Sequence, residues 1–324
     1  MSKNAKKWLI AAASLVTVGV ILFASAMTAY HWDFSRLSTD HFETNTYEIR
    51  EEFSDIKINT ETADILFAVS EDDTCRVVCY EKEKMKHSVR VQDGTLTVSF
   101  GDDRAWYEHI SFGFHSPKVT VYLPEMEYGS LVIQESTGDI TLPKDFLFDS
   151  MDLRLSTGHV DSLASSLGQM RIETSTGDIH LQNLSAGALD LTVSTGQVDA
   201  RSVSCEGKIG IWVSTGETRL TDISCGSIDS NGSTGNITLE NVIAKDAISM
   251  ERSTGDVRLE GCDAAALEIR TDTGNVTGSF LSSKVFIAHS DTGKIDVPET
   301  VSGGKCRITT DTGDIRITVQ EPVF

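Results

Sequence analysis

The sequence has few basic residues and lacks the short motifs that mark the common enzyme classes. It contains 28 Lys and Arg against 48 Asp and Glu, which gives a formal net charge of −20. It has no nucleotide-binding glycine loop, no nucleophile elbow, no His-Glu-x-x-His helix and no Cys-x-x-Cys pair. These absences exclude an assignment of catalytic or cofactor-binding residues by motif.

A long uncharged run lies near the N-terminus. It covers 23 residues from Trp8 to Tyr30, enough to cross a bilayer core of about 30 Å. Because basic residues stay on the cytoplasmic side, the lysines before the run predict a retained single-pass anchor in the cell membrane, with the remainder extracytoplasmic. The small residues Ala24-Ser25-Ala26 leave a cleaved signal peptide open, although the run is longer than most signal-peptide cores. The lysines are Lys3, Lys6 and Lys7.

The external part of the chain is strongly acidic. It carries 25 basic and 48 acidic residues. Repulsion from phosphate groups argues against nucleic acid and bare anionic lipid as partners. The charge permits cationic peptides, envelope proteins, cell-wall glycans and divalent cations, and it also suits simple solubility.

One tripeptide recurs ten times between Ser136 and Asp314. Each copy ends in Thr-Gly, and successive glycines are 19 or 20 residues apart. A fixed period of this length indicates stacked repeats rather than a closed globule. The corner glycines are Gly138, Gly158, Gly177, Gly196, Gly216, Gly235, Gly255, Gly274, Gly293 and Gly313.

Apolar and polar residues alternate on both sides of each corner glycine. The positions seven and five residues before the glycine, and two and four residues after it, are mostly apolar. In the repeat of Gly177 these are Met170, Ile172, Ile179 and Leu181. A period of two predicts two short strands per repeat, each with one buried face.

The Thr-Gly step between these strands predicts a tight bend, because glycine reaches positive φ without a Cβ clash. A repeat with two strands and a looser third side cannot bury its own apolar face, whereas parallel stacking at about 4.8 Å buries it continuously. The sequence therefore predicts an all-β fold: a parallel β-solenoid, or β-helix, of ten coils and about 48 Å in length. An irregular β cap and one transmembrane helix precede it.

The predicted organisation has six segments. Residues 62–66 read as a degenerate corner before the first regular repeat, and Asp93-Gly94 predicts a hairpin turn within the cap. The cap protects one sheet edge from aggregation, whereas the C-terminal edge is less protected. The segments are a cytoplasmic basic segment (1–7), a transmembrane signal-anchor (8–30), a stalk (31–46), an N-terminal β cap with the first coils (47–130), the repeat solenoid (131–318) and a C-terminal tail (319–324).

Three features together resemble a known family. They are the strand Gly94-Thr95-Leu96-Thr97-Val98, the strand Val119-Thr120-Val121-Tyr122-Leu123-Pro124 and the serial Ser-Thr-Gly-Asp-Ile corners. Over about residues 47–318 the chain resembles the bacterial putative-adhesin family, also described as β-strand-repeat proteins of unknown function; members include membrane-anchored proteins of Lia-type cell-envelope stress responses. The resemblance implies an extracytoplasmic solenoid without a known catalytic mechanism, and it transfers no active-site residues.

Two of the six cysteines occupy the same position of successive repeats. Cys205 and Cys225 each lie nine residues after a corner glycine, so their backbones should be about 4.8 Å apart, within reach of a disulfide. Because the same column otherwise holds small apolar residues, buried free thiols are the preferred interpretation. Cys75 and Cys79 share one face of a predicted strand but lie about 13 Å apart, too far to pair.

Two adjacent outward columns of the first four repeats combine histidine with aspartate. Imidazole and carboxylate groups placed side by side could bind Zn²⁺ or Mn²⁺, or act as general acid and base. The pattern equally suits a solvated face on which histidine separates like charges, and this is the preferred interpretation. The residues of this Asp/His face are Asp139, His159 and Asp178 in one column and Asp161, His180 and Asp199 in the other.

From the eighth repeat onward, aspartate replaces the corner serine. Carboxylates stacked at about 4.8 Å must gain a cation, take up a proton or turn into water, so a Ca²⁺ site is a second metal hypothesis. The Gly-Gly-x-Gly-x-Asp pattern of Ca²⁺-binding β-rolls is absent, and no cofactor beyond a divalent cation is predicted. The candidates are Asp272, Asp291 and Asp311.

One aromatic residue falls in an outward column: Trp212, between Thr192 and Asn231. An exposed indole can stack on a sugar ring or anchor a partner, unless adjacent side chains cover it.

The leading hypothesis is a non-enzymatic, membrane-anchored interaction platform at the cell envelope, serving adhesion or envelope-stress sensing. The alternatives are a polysaccharide-active β-helix enzyme using the Asp/His face, and a structural solenoid that self-assembles through its C-terminal edge.

Overall fold

The computed structural model describes residues 3–29, 31–32, 41–101 and 116–320. Helix α1 spans Lys3–Ala29, and every later element is a strand. The N-terminal strands are β1 (Phe42–Ile49), β2 (Asp55–Thr62), β3 (Asp64–Val69), β4 (Cys75–Lys82), β5 (His87–Gln92), β6 (Thr95–Phe100) and β7 (Lys118–Leu123).

The repeat region supplies the remaining sixteen described strands. Its first half holds β8 (Glu127–Thr137), β9 (Ile140–Leu142), β10 (Leu147–Thr157), β11 (Val160–Ser162), β12 (Ser165–Thr176), β13 (Ile179–Thr195), β14 (Val198–Thr215) and β15 (Thr218–Thr234). Its second half holds β16 (Ile237–Thr254), β17 (Val257–Cys262), β18 (Ala266–Thr273), β19 (Val276–Phe280), β20 (Lys284–Thr292), β21 (Ile295–Asp296), β22 (Gly304–Thr312) and β23 (Ile315–Val319).

The repeats wind into a parallel β-solenoid, as predicted. Equivalent positions of neighbouring coils pair in register: Thr157 faces both Thr137 and Thr176, and Met151 faces Met170. The side chains of Met151 and Met170 are 2% and 0% exposed, because the apolar columns line one continuous core. The predicted fold class is therefore confirmed.

The coils have three well-formed sides, which differs from the predicted loose third side. After the second side the chain turns at a residue with φ between +52° and +61°, then continues as another short strand. In one coil, residues 184–186 form this third side and pair with residues 203–205. Short polar residues tolerate the left-handed backbone, which explains the composition of this corner. Its members are Asn183, Ser202, Asp222, Asn241 and Gly261.

The N-terminal cap contains solenoid-like coils as well as antiparallel strands. Strands β2 and β3 pair in parallel with β8 and β9 on one side and with β6 and β7 on the other. Strand β4 lies antiparallel on β7, and β1 lies antiparallel on β4. Strands β5 and β6 form the predicted hairpin, with Asp93 and Gly94 at φ +50° and +74°. The first strand of this cap begins at Phe42, inside the predicted stalk 31–46, of which residues 33–40 lie outside the described residues.

At the C-terminal end the coils do not stack in chain order. Strand β22 of the tenth coil pairs with β18 of the eighth on one side and with β20 of the ninth on the other. Strand β23 likewise lies between β19 and β21. The ninth coil is therefore outermost, and the less protected C-terminal edge belongs to this coil rather than to the tenth. Most of the predicted tail 319–324 lies outside the described residues.

Candidate functional site

The corner glycines form a close-packed column in the solenoid wall. The N–H of Gly158 donates to the carbonyl oxygen of Thr176 in the next coil at 2.9 Å, and this bond recurs along the column. A Cβ on Gly216, where φ is +144°, would lie 1.7 Å from the carbonyl oxygen of Gly196. No other residue type fits such an approach, so this column holds the coils together and leaves no room for a ligand.

The first column of the Asp/His face forms a ladder between coils. Asp139 Oδ1 accepts the backbone N–H of His159 at 2.8 Å, and His159 Nδ1 accepts that of Asp178 at 3.1 Å. Asp178 Oδ1 in turn accepts the N–H of Gln197 at 2.8 Å. Asn236, Asp256, Asn275 and Asp314 repeat this contact further along. Each acceptor satisfies a corner amide, which gives the column a structural task.

The second column of the face also lies in the predicted register. His180 faces Asp161 on one side and Asp199 on the other. Asp199 is engaged by Arg201, whose guanidinium nitrogen lies 2.6 Å from Oδ2. Elsewhere, among the described residues, the one trio of His, Cys, Asp or Glu with ligand atoms all within 4.8 Å of one another is Cys79, Glu81 and His87. A metal or an acid–base pair on the Asp/His face therefore stays a prediction.

The corner aspartates lie together in an order that the sequence did not predict. Since β22 lies between β18 and β20, Asp311 stands between Asp272 and Asp291. Two of them have basic partners: His289 Nε2 lies 2.9 Å from Asp291 Oδ1, and Arg270 Nη2 lies 3.7 Å from Asp272 Oδ1. These partners relieve part of the repulsion, and the Ca²⁺ hypothesis for the corner stays a prediction.

All six cysteines are free and buried. Cys205 and Cys225 are direct neighbours in the parallel register, as their column predicts. Burial raises the pKa of the Cys225 thiol to about 12 and also raises that of Cys205. Such thiols are mostly protonated at neutral pH and behave as small apolar core groups.

An aromatic surface lies on the outward face of the long strands. The side chain of Trp212 is 44% exposed, and Thr192 and Asn231 flank it in register. Two residues back on the same face, Gly210 presents no side chain, and a Cβ there would make only ordinary contacts, the nearest at 3.7 Å. Asn231 Nδ2 donates to Asp229 Oδ1 at 2.8 Å, which fixes a polar rim beside the indole. We call these five residues the Trp212 surface.

The comparison with protein families decides which group of proteins this solenoid represents. The model of the Toastrack DUF4097 family matches residues 53–260 and again residues 208–323. The chain belongs to the Toastrack DUF4097 family. The two overlapping matches cover the N-terminal coils and all ten repeats of this Toastrack protein, and they confirm the resemblance to putative adhesins of unknown function.

Solved structures with a similar fold have little sequence identity to this Toastrack chain. A putative adhesin from Bacteroides fragilis is 15% identical, with 87% of this chain and 99% of that chain covered and a TM-score of 0.44. A putative lipid binding protein from Parabacteroides distasonis is 13% identical, with coverages of 86% and 97% and a TM-score of 0.48. A putative adhesin from Parabacteroides merdae is 11% identical, with coverages of 88% and 98% and a TM-score of 0.43. No curated protein matches the chain.

Three buried charged residues of the Toastrack solenoid were not predicted from the sequence, namely Glu135, Arg252 and Lys284, and the first two share one position of the repeat. Arg252 is 0% exposed and donates to the carbonyl oxygen of Val213 at 3.3 Å and to Thr218 Oγ1 at 2.9 Å. Glu135 is 5% exposed, and burial raises its pKa to about 7. Both stand three residues before a corner glycine, a position that points inward. Gly232 pairs with Arg252 in the neighbouring coil and leaves room for its guanidinium. A glycine at this inward position was the feature of the sequence that could have indicated a buried arginine.

Proposed function

We propose that this Toastrack protein is a membrane-anchored, non-enzymatic interaction platform outside the cytoplasm. An apolar helix from Lys6 to Ala29 is long enough to cross a membrane. The solenoid that follows presents polar outward faces with paired charges, such as Arg154 with Asp152 at 2.8 Å. The similar structures reported above are named as putative adhesins and a putative lipid binding protein rather than as enzymes, which is consistent with a binding role.

The observation that carries the proposal is the Trp212 surface. An exposed indole on the outward face of a sheet, beside a glycine without a side chain and fixed polar groups, is suited to stacking on a sugar ring. Thr192 and Asn231 supply hydroxyl and amide groups that can hydrogen-bond to sugar hydroxyls. An acidic exterior does not repel neutral glycans. We therefore assign cell-wall glycan as the ligand class of this surface.

The test uses the full-length protein in detergent and purified cell-wall polysaccharide in a sedimentation assay. We expect Trp212→Ala to weaken binding by about 2 kcal/mol, or roughly thirtyfold, because removal of a central aromatic anchor typically costs this much. The control is Leu167→Ala, which removes an exposed apolar side chain elsewhere. Equal binding by both variants contradicts the assignment. Release of soluble sugar that disappears in a His159→Ala, His180→Ala double variant would instead support the enzyme alternative.

A second candidate function, self-assembly, is favoured by the outermost coil. Ile295 is 45% exposed, whereas Ile315, its neighbour in the same inward column, is 0% exposed. Phe286, Ala288 and Val297 are also only partly buried against the core. The apolar interior is thus open at this end, and a second copy presenting the same end would cover it.

Association through this end is measurable by sedimentation velocity of the full-length protein in detergent. If the ends pair, Ile295→Glu abolishes the larger species, because a charge enters the shared core. Ile287→Glu, which places the same charge on the outward face of the same coil, serves as the control. A monomeric wild-type protein at all concentrations rules this function out.

A further inference from the structure

A cluster of metal-ligand side chains lies buried in the N-terminal cap. Cys79 Sγ, a carboxylate oxygen of Glu81 and a ring nitrogen of His87 are all within 4.8 Å of one another. Cys79 and Glu81 share the inward face of β4, since they are two residues apart, and His87 begins β5. The three residues are 0%, 0% and 4% exposed.

The hydrogen bonds of the cluster already orient two of the three groups. Glu81 Oε2 accepts the backbone N–H of His87 at 2.6 Å and lies 2.7 Å from its Nδ1. Glu81 Oε1 accepts from Asn45 Nδ2 at 2.7 Å. The carboxylate and the imidazole, two of the ligand types that zinc accepts, are therefore already adjacent.

One polar atom of the cluster has no partner. His87 Nε2 is buried without a hydrogen bond, although its ring edge lies against Phe100. A buried nitrogen without a partner is costly, so the hydrogen bonds of the cluster leave His87 incompletely satisfied. The cluster therefore combines a metal-binding donor set with an incompletely satisfied histidine.

We propose that Cys79, Glu81 and His87 bind one Zn²⁺ ion in the cap. Thiolate, imidazole and carboxylate together suit zinc, whereas Mg²⁺ and Ca²⁺ prefer oxygen ligands alone. Tetrahedral zinc needs its ligand atoms about 3.5 Å apart. Glu81 and His87, now 2.7 Å apart, must therefore separate slightly, whereas Cys79 already lies within 4.8 Å of both.

Charge balance supports a divalent ion rather than an apolar or monovalent occupant. On binding, Cys79 releases its thiol proton to solvent and forms the Zn–S bond, so one proton leaves for each ion bound. The thiolate and the Glu81 carboxylate then carry two negative charges, which the ion cancels, and a water molecule completes its four ligands. Because the ligands come from β4 and β5, the ion joins the outer sheet of the cap to the β5–β6 hairpin.

The test is metal analysis of the full-length protein in detergent, stripped of metal and then loaded with Zn²⁺ or Co²⁺. We expect about one tightly held Zn²⁺ per chain, and with Co²⁺ a near-ultraviolet thiolate-to-metal absorption band. Cys79→Ser should remove both the equivalent of zinc and the band. Cys75→Ser should keep both, since Cys75 is buried on the same face of β4 but lies outside the cluster.

Two results would overturn the proposal. One is a wild-type protein that holds no stoichiometric zinc and shows no thiolate band, a measurement that needs no variant to fold. The other is zinc that is lost in the His159→Ala, His180→Ala double variant but kept in Cys79→Ser. That second result would transfer the site to the Asp/His face.

Discussion

At the residue scale, identical corners impose identical steric demands. Each corner glycine after Gly138 is close to the carbonyl oxygen of the glycine in a neighbouring coil, at 1.9 Å from a Cβ built on Gly177 and 2.0 Å from one built on Gly196. The approach is part of the coil-to-coil hydrogen bonding, so neither backbone can retreat without losing bonds. This is why ten repeats keep the same residue.

Replacement of a corner glycine should unfold the solenoid more readily than replacement of a strand glycine. We expect Gly216→Ala to lower the free energy of unfolding by about 3 kcal/mol, since the added Cβ meets backbone at a φ of +144°. Gly210→Ala, where the nearest atom is 3.7 Å away, should change it by less than about 1 kcal/mol. Urea unfolding of the two variants measures the difference, and similar midpoints would contradict this account of the corner.

Glu135 should make the stability of the protein depend on pH. Burial raises its pKa to about 7 from an ordinary value of 4.5, so the folded state holds a proton that the unfolded state has lost between these values. The contribution of this proton to the free energy of unfolding is complete below about pH 4.5. It is lost as the pH rises through about 7, at about 1.4 kcal/mol per pH unit. The free energy of unfolding of Glu135→Gln, measured relative to that of wild type, should therefore be higher at pH 8 than at pH 5.

Denaturant unfolding at the two pH values tests this expectation. The gain is at most about 3 kcal/mol, because the buried amide must still find partners. Glu251→Gln, on the exposed face, provides a matched control for the loss of one glutamate carboxylate at the surface. A parallel pH response of wild type and Glu135→Gln would show that Glu135 is not the titrating group.

At the element scale, the strands are joined by side chains as well as by backbone. The residue after a corner glycine often has a side-chain acceptor that bonds to the backbone N–H of the equivalent residue in the next coil. Asp139, His159 and Asp178 make this bond. Aspartate, asparagine and histidine are interchangeable in this task because each offers a lone pair at a similar reach. The alternation that suggested a metal site thus has a structural cause.

Loss of one ladder acceptor should cost a single hydrogen bond. Asp178→Ala removes the partner of the Gln197 amide, and we expect a loss of about 1 kcal/mol in the free energy of unfolding, since water can reach this exposed corner. Asp178→Asn keeps an oxygen at the same place and should lose less. Asp161→Ala, in the neighbouring column, is the control. Thermal or urea unfolding ranks the three, and a larger loss for Asp161→Ala would refute the ladder.

At the scale of the whole molecule, each end of the solenoid is closed by a coil that lies out of chain order. The first coil, β2 and β3, is held between β6–β7 and β8–β9, and the last, β22 and β23, is held between the eighth and ninth coils. At the C-terminal end the outermost coil is therefore a loop attached at both of its ends, whereas at the N-terminal end β4 and β1 lie outside β7.

Hydrogen exchange should reveal this order. Strand β20 pairs only with β22 among the described strands, whereas β22 pairs on both sides. We expect amides of β20 to exchange faster than those of β22, even though β22 is closer to the C-terminus, because β20 can open without disturbing the rest. Deletion of residues 304–324 should also detach β20 from the solenoid, because it removes β22, the strand with which β20 pairs. Slower exchange in β20 than in β22 would contradict the observed stacking.

Local patterns were enough to predict the apolar helix, which follows from one uncharged run. They also predicted the period of the coils, their inward columns and their glycine corner, because these depend on a spacing that repeats ten times. The sequence also placed Thr192, Trp212 and Asn231 side by side, since parallel register follows from the period. The third side was missed because its turn residues vary, and Arg252 because its partners lie two coils away.

The order of the end coils and the grouping of side chains inside the cap become visible in the three-dimensional packing alone. The corner of the tenth coil matches that of the eighth as well as it matches that of the ninth, so pairing rules alone allow either order. The grouping of Cys79, Glu81 and His87 depends on how β1, β4 and the β5–β6 hairpin meet, which no repeat encodes. Local periodicity specifies what each coil can pair with, and packing selects which partner it takes.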